Sequence, residues 1–235
     1  MPDAKWSAPV KIEIFPDAAS AARAAAVFVA AEARAAIAAR GRFVAALSGG
    51  STPWLMLCAL AREHVQWDAV QFVQVDERVA PAGDPDRNLT YIRESLPSAQ
   101  ILPMPVESHD LEAAARLYEK TITKIAGSPS VLDLVHLGLG ADGHTASLVP
   151  GDPVLDIAAA DVALTGIYQG RRRMTLTYPI LDRARRVLWL VAGVEKAAAL
   201  HRLQAGDASI PAGRVRQDMA VVFADRGAAG GHSPP

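Results

Sequence analysis

Residues 131–151, VLDLVHLGLGADGHTASLVPG, limit what this chain can fold into more than any other stretch. Val131, Leu132, Leu134, Val135, Leu137 and Leu139 form an apolar run too short for a helix of its own and bounded by glycines, which predicts a buried strand. The strand empties into Gly138, Gly140, Asp142, Gly143 and His144. Polar groups there are costly unless the backbone turns sharply and the side chains face a cleft. Taken alone, one histidine in such a turn is more often a hydrogen-bonded structural group, so the rest of the chain has to decide.

The same arrangement recurs along the sequence. Val10 to Phe15 alternates as a strand, and Asp17 is placed to cap an alanine-rich helix running to Arg40, with Gly41 as terminator and Val27, Phe28 and Ile37 as its main large apolar groups. Phe43 to Leu47 predicts a second buried strand that runs into Ser48-Gly49-Gly50-Ser51-Thr52-Pro53 and then a helical pattern. Ser51 or Thr52 would cap that helix, and the order strand, glycine-rich loop, helix aims free backbone N–H groups at an anion. The loop lacks the lysine of a Walker motif and the glycine spacing of a dinucleotide fingerprint. Val70 to Val75 is a third strand, ending in Asp76-Glu77-Arg78, charges that suit either a ligand site or an ion pair at a surface turn. The loop Ala80 to Arg87 leads to a helix over Asn88 to Leu96, capped by Asp86 or Asn88, and could form one wall of a pocket.

Ile101 to Val106 holds two prolines and therefore belongs at a sheet edge, and Asp110 caps a helix over Leu111 to Ile125. Strands over Val162 to Tyr168 and Met174 to Leu181 flank Gly170 and three consecutive arginines, and the threonines of RMTLTY predict one wet or ligand-lined face. Val187 to Ala192 is a further buried strand, followed by Gly193 and a helix to Gln204 whose first turn carries Lys196, a cation opposed to the helix dipole unless an anion sits beside it. A loop over Pro211 to Arg216, a last strand over Met219 to Ala224 and a disordered tail over 227–235 complete the reading.

Alternating strands and helices predict an α/β fold, a largely parallel open sheet with helices on both faces, Rossmann-like, forming one domain over 1–235. In such a sheet the ends after Leu47, Val75, Leu139 and Ala192 share one edge, where ligands bind. That edge then gathers amides at Gly49 to Thr52, cations at Arg78, Arg173 and Lys196, acids at Asp76, Glu77 and Asp142, and His144 as a titratable base, a set suited to a small phosphorylated substrate and proton transfer. A net charge of −1 from 24 basic and 25 acidic residues argues against nucleic acid or an anionic membrane as partner. No signal-peptide core and no membrane-length apolar stretch is visible, which predicts a cytoplasmic protein, and the single Cys58 falls in an apolar helical pattern and is expected to be buried and inert.

SGGSTP at 48–53, DER at 76–78, GLGADGHTASLVPG at 138–151, RMTLT at 173–177 and GVEK at 193–196 resemble, in order and spacing, the motif series of the 6-phosphogluconolactonases. The resemblance implies a hydrolase that opens 6-phospho-D-glucono-1,5-lactone in the oxidative pentose phosphate pathway with neither metal nor organic cofactor, as a monomer or small homo-oligomer. It implies His144, Asp142, Arg78 and Asp76 as the catalytic group, with Asp142 shaping the loop or binding a sugar hydroxyl and Asp76 and Glu77 orienting Arg78. Ser48, Gly49, Gly50, Ser51, Thr52, Arg173 and Lys196 would hold the phosphate. The related glucosamine-6-phosphate deaminases share these features but carry a glutamate where this sequence has Val149, which cannot relay a proton. A non-catalytic sugar-phosphate sensor is a third possibility, disfavoured by the missing DNA-binding segment and by the retention of Asp142 and His144.

Overall fold

The computed structural model describes residues 10–230. In chain order the elements are β1 (Lys11–Phe15), α1 (Ala18–Arg40), β2 (Phe43–Leu47), α2 (Ser51–Leu60), β3 (Val70–Gln74), β4 (Asp76–Arg78), α3 (Asn88–Ser95), β5 (Gln100–Leu102), α4 (Leu111–Ala126), β6 (Leu134–Leu137), β7 (Val162–Leu164), β8 (Arg173–Leu176), α5 (Tyr178–Arg183), β9 (Val187–Val191), α6 (Ala197–Gln204) and β10 (Ala220–Asp225). Seven strands make one sheet in the order β1-β10-β9-β6-β2-β3-β5, with every pairing parallel. The chain builds outward from β2 through β3 to β5 on one side and from β6 through β9 to β10 on the other. The β2–β6 junction is therefore the topological switch point, where open α/β sheets leave a crevice.

Alternation along the strands gives the sheet two apolar faces. Phe43, Ala45 and Leu47 of β2 join Leu188 and Leu190 of β9 beneath α1, α2 and α3, while Val44 and Ala46 join Val187, Trp189 and Val191 against α4, α5 and α6. The Asp17 carboxylate accepts from Ser20 N at the start of α1, worth about 1 kcal/mol, and Gly41 closes the helix in the left-handed region. What α1 lays on the sheet is mainly alanine, from Ala21 to Ala36, together with Val29; Val27 points to solvent, because small side chains give the closest approach to the sheet. Asp110 caps α4 by accepting from Ala113 N, and β5 is an edge strand that stops at Leu102, just before Pro103.

Several local readings change. The third strand stops at Gln74, and Asp76–Arg78 forms part of a separate antiparallel sheet ordered β4-β8-β7. Val75 is the pivot: its N–H donates to Leu47 O at 2.9 Å and its carbonyl accepts from Leu176 N at 2.8 Å. The β8 strand ends at Leu176, and Tyr178 to Leu181 is helical because Pro179 falls in the first turn of α5, where it is tolerated. Thr175 and Thr177 are buried, so the threonines line no wet face; Thr175 Oγ1 accepts from Ser147 N, and Arg173, two residues before Thr175 on β8, borders the cleft described below. Cys58 is exposed, since Met56, Leu57 and Leu60 take the inward positions of α2. Residues 227–230 are folded as turns with Ala228 buried, while the remainder of the expected tail, 231–235, lies outside the described residues, as do 1–9 of the stretch read for a targeting signal. None of the described helices is long and apolar enough to cross a membrane.

Candidate active site

A cleft of about 320 Å³ opens over the β2–β6 junction, bounded by the residues that follow β2, β3, β6 and β9. Ser48, Gly49, Gly50, Ser51, Thr52, Asp76, Arg78, His144, Arg173 and Lys196 all line it, so the four strand ends do converge.

At the first of these ends Gly50, at φ +122°, holds the cap position of α2; Ser51 and Thr52 are already helical and no side chain caps the turn. The first helical bond runs from Trp54 N to Gly50 O at 3.0 Å. The amides of Gly50, Ser51 and Thr52 therefore have no intrahelical carbonyl to meet, and Pro53 brings no amide at all. This leaves donors and the positive end of a helix dipole facing the cleft. A Cβ at Gly49 would run into the Asn88 side chain, which is why the loop can lie this close to α3. Ser48 is turned away from any anion: its hydroxyl donates to His136 O at 2.8 Å and its N–H to His136 Nδ1 at 3.4 Å. His136 is fully buried, and burial alone pushes its imidazole down to about 3, so it is neutral.

The second end supplies charge. Pairing of β4 with β8 sets Arg78 directly opposite Arg173, an arrangement that repels. Burial pushes the Arg173 guanidinium down, Asp76 at 4.0 Å opposes that, and Arg78 adds to it. Asp76 is itself buried, accepting from Ser147 Oγ at 2.6 Å and Asn88 Nδ2 at 3.3 Å. Arg78 Nη1 donates to Asp86 O and Asn88 Oδ1, both at 2.7 Å. Glu77 does not orient that guanidinium. Its carboxylate accepts from the backbone of Arg78, Asn88 and Leu89 and from Gln74 Nε2, with Arg87 Nε 3.1 Å away. Glu77 thus caps α3 in place of Asp86 or Asn88, and it sits outside the cleft.

The third end holds the imidazole of His144. Gly140 N donates to His144 O at 2.8 Å, closing a tight loop, and a Cβ on Gly140 would collide with the His144 ring and the Asp142 carboxylate. Asp142 Oδ1 lies 2.6 Å from His144 Nδ1 and also accepts from His144 N at 3.1 Å. With Nδ1–H donated to the carboxylate, Nε2 is the free lone pair of the neutral ring. Partial burial works against ionisation of Asp142, but the N–H and imidazole of His144 and the phenol of Tyr168 outweigh it and hold the carboxyl below the usual range. Asp142 is therefore the anchor of His144, a role the sequence reading did not assign.

Sequence reasoning also missed Asn88, Ser147, Tyr168 and Glu195. Asn88 and Glu195 line the cleft, Ser147 holds Asp76, and Tyr168 donates to Asp142 Oδ2 at 3.2 Å. Lys196 ends a short 3-10 turn before α6, 4.0 Å from Glu195. Val149 is buried and apolar. Among the described residues no cluster of three or more His, Cys, Asp or Glu is arranged to hold a metal ion.

The family described as glucosamine-6-phosphate isomerases/6-phosphogluconolactonase matches residues 16–223. A 6-phosphogluconolactonase of Synechocystis is 39% identical over 183 residues, 74% of this chain and 76% of that one. The Mycobacterium tuberculosis 6-phosphogluconolactonase is 36% identical over 238 residues, 93% and 96% of the two chains. A solved 6-phosphogluconolactonase from Trypanosoma brucei superimposes with a TM-score of 0.85 at 25% identity, covering 97% of this chain and all of that one.

Proposed function

The chain belongs to the glucosamine-6-phosphate isomerase/6-phosphogluconolactonase family, and from that premise we propose that it hydrolyses 6-phospho-D-glucono-1,5-lactone to 6-phospho-D-gluconate in the oxidative pentose phosphate pathway. It acts in the cytoplasm, without metal or organic cofactor. The observation that carries this reading is an imidazole fixed by Asp142 in the same cleft as a helix N-terminus and three cations. The curated relatives of this name point the same way.

The substrate phosphate sits on the amides of Gly50, Ser51 and Thr52, with Lys196 and Arg173 as counter-charges. Its arrival relieves the opposed Arg78–Arg173 pair. With the phosphate anchored, the lactone carbonyl lies beside His144. Nε2 takes a proton from water as the water oxygen attacks C1, and Asp142 stabilises the imidazolium that forms. Arg78 is the counter-charge for the developing oxyanion. The tetrahedral intermediate collapses by breaking the bond from C1 to the ring oxygen, which takes the proton back from the imidazolium and becomes the 5-hydroxyl. A δ-lactone is reactive enough that one base and good positioning suffice.

The other activity in the family's description is that of glucosamine-6-phosphate isomerases, and deamination of that amino sugar needs a second proton relay where this chain buries Val149. Acid release from 6-phosphogluconolactone, measured above the spontaneous background, is compared with ammonia release from glucosamine 6-phosphate. Enzyme-dependent acid release alone is expected, and ammonia release without it would overturn the lactonase reading.

A further inference from the structure

The hairpin between β7 and β8 reaches the base from outside the loop that carries it. Tyr168 and Arg171 exchange backbone bonds at 3.0 and 3.2 Å, leaving Gln169 and Gly170 as a two-residue turn with φ of +50° and +80°. Positive φ at both positions makes a turn whose twist matches the flanking strands, and it favours asparagine and glycine. Glutamine in that place is strained, and strain of this kind is retained where the surroundings demand it. The demand is visible. Gln169 Oε1 accepts from Arg173 Nη2 at 3.1 Å, its Nε2 lies 3.4 Å from the Tyr168 hydroxyl, and the Arg173 guanidinium lies over the Tyr168 ring, 5.0 Å from its centre.

From the same turn Tyr168 donates to Asp142 Oδ2 at 3.2 Å, while Oδ1 is occupied by His144. Its ring meets the imidazole edge-on with centroids 5.5 Å apart, and its hydroxyl is 3.5 Å from Nδ1. Both oxygens of Asp142 are thus held, one by the base and one by the hairpin. A carboxylate on a half-exposed glycine-rich loop would otherwise be free to rotate away from the ring it orients.

We propose that Tyr168 is a positioning residue: through Asp142 it holds the His144 ring with Nε2 available to the cleft, and through Arg173 it ties that orientation to the phosphate-binding side. The positioning stands on the hydrogen bonds above; its consequence for turnover rests on the lactonase reading. Around His144 the charged and titratable groups are Asp142 on its own loop, Tyr168 on the hairpin, and Asp76, Arg78, Arg173, Glu195 and Lys196 across the cleft.

Tyr168→Phe keeps the ring, its packing and its contact with Arg173, and removes only the hydroxyl. Asp142 then loses the bond on Oδ2 that keeps its other oxygen against Nδ1, so a smaller share of the neutral His144 ring should carry its proton on Nδ1. The test follows the His144 ring nitrogens by NMR across pH in the wild-type protein and Tyr168→Phe, alongside lactone kinetics. The expected result is a smaller Nδ1–H share of the neutral His144 ring in Tyr168→Phe, and kcat lowered about 3- to 10-fold with KM little changed. Tyr168→Ala should add a rise in KM through Arg173. Identical His144 ring-nitrogen signals or an equal kcat in wild type and Tyr168→Phe would overturn the proposal. Wild-type protein that opens no lactone would overturn the lactonase reading, while the ring-nitrogen signals of His144 would still decide the role of Tyr168.

Discussion

Two histidines eight residues apart, one inside β6 and one just beyond it, have opposite fates. His136 is fully buried with no acid beside it, and desolvation keeps its ring neutral far below ordinary pH; its polar neighbours are the N–H and hydroxyl of Ser48. His144 is one-quarter exposed, stands at the mouth of the cleft and has a carboxylate on Nδ1. One ring supports the backbone of the glycine-rich loop after β2, and the other can pick up and return a proton. The difference lies in the partner and in access to water, since the side chain is the same.

The sharpest way to break this comparison is to remove the exposed ring. His144→Ala should lower enzyme-dependent acid release by about 10²- to 10⁴-fold while leaving binding of 6-phosphogluconate close to wild type by calorimetry; near-normal turnover would take the base role away from it. Asp142→Asn comes next. The carboxamide can present its NH₂ to Nδ1 and select the wrong tautomer, so kcat should fall on the order of 10²-fold with KM little altered. A variant with unchanged kcat would show that the anchor is dispensable. Arg173→Ala should act mainly on KM, through a charge-assisted contact worth about 1.5–3 kcal/mol, and an unchanged KM would move the phosphate elsewhere.

His136 sharpens the comparison through stability. Its folded pKa of about 3 lies below the ordinary value of 6.5, so between these values the unfolded chain binds a proton that the folded chain refuses. Stability is therefore lost as pH falls below 6.5, by about 1.4 kcal/mol per pH unit from this group. His136→Gln should flatten that acid slope in denaturant titrations at several pH values. A variant slope as steep as wild type would mean that His136 takes up a proton without unfolding.

What the sequence disclosed follows the reach of each interaction. SGGSTP, DER and ADGH announce themselves because their polar or glycine character conflicts with the strand just before them, a conflict visible within a few residues. The cap on α3 was misread because Glu77 stands 11 residues from Asn88 in the chain and nothing local marks it as the acceptor. Tyr168 was missed for the same reason: it lies 26 residues from Asp142, in a hairpin that looks like an ordinary turn beside an arginine run. Thr175 and Thr177 alternate as a half-wet strand would, yet Thr175 is covered by the loop that carries Ser147 and Thr177 donates to Ala160 O. Periodicity reports that one face is polar; whether water or protein satisfies it is a tertiary fact. Asp142 was legible as a loop residue, but its grip on Nδ1 needed the sharp turn that Gly140 permits.

The first strand of the sheet pairs with the last, Lys11 with Val221 through Phe15 with Asp225. That contact closes a loop of nearly the whole chain, the most entropically expensive closure in the molecule. Strand β10 also lies between β1 and β9, so any event that frees it orphans β1 and bares the edge of β9, an apolar VLWLV ribbon with high β propensity. The edge that bears the cleft rests on β2, β3, β6 and β9, which pair among themselves without β1 or β10 except at that one border. Loss of the C-terminal strand would therefore show first as self-association, with the chemistry of the cleft the later casualty.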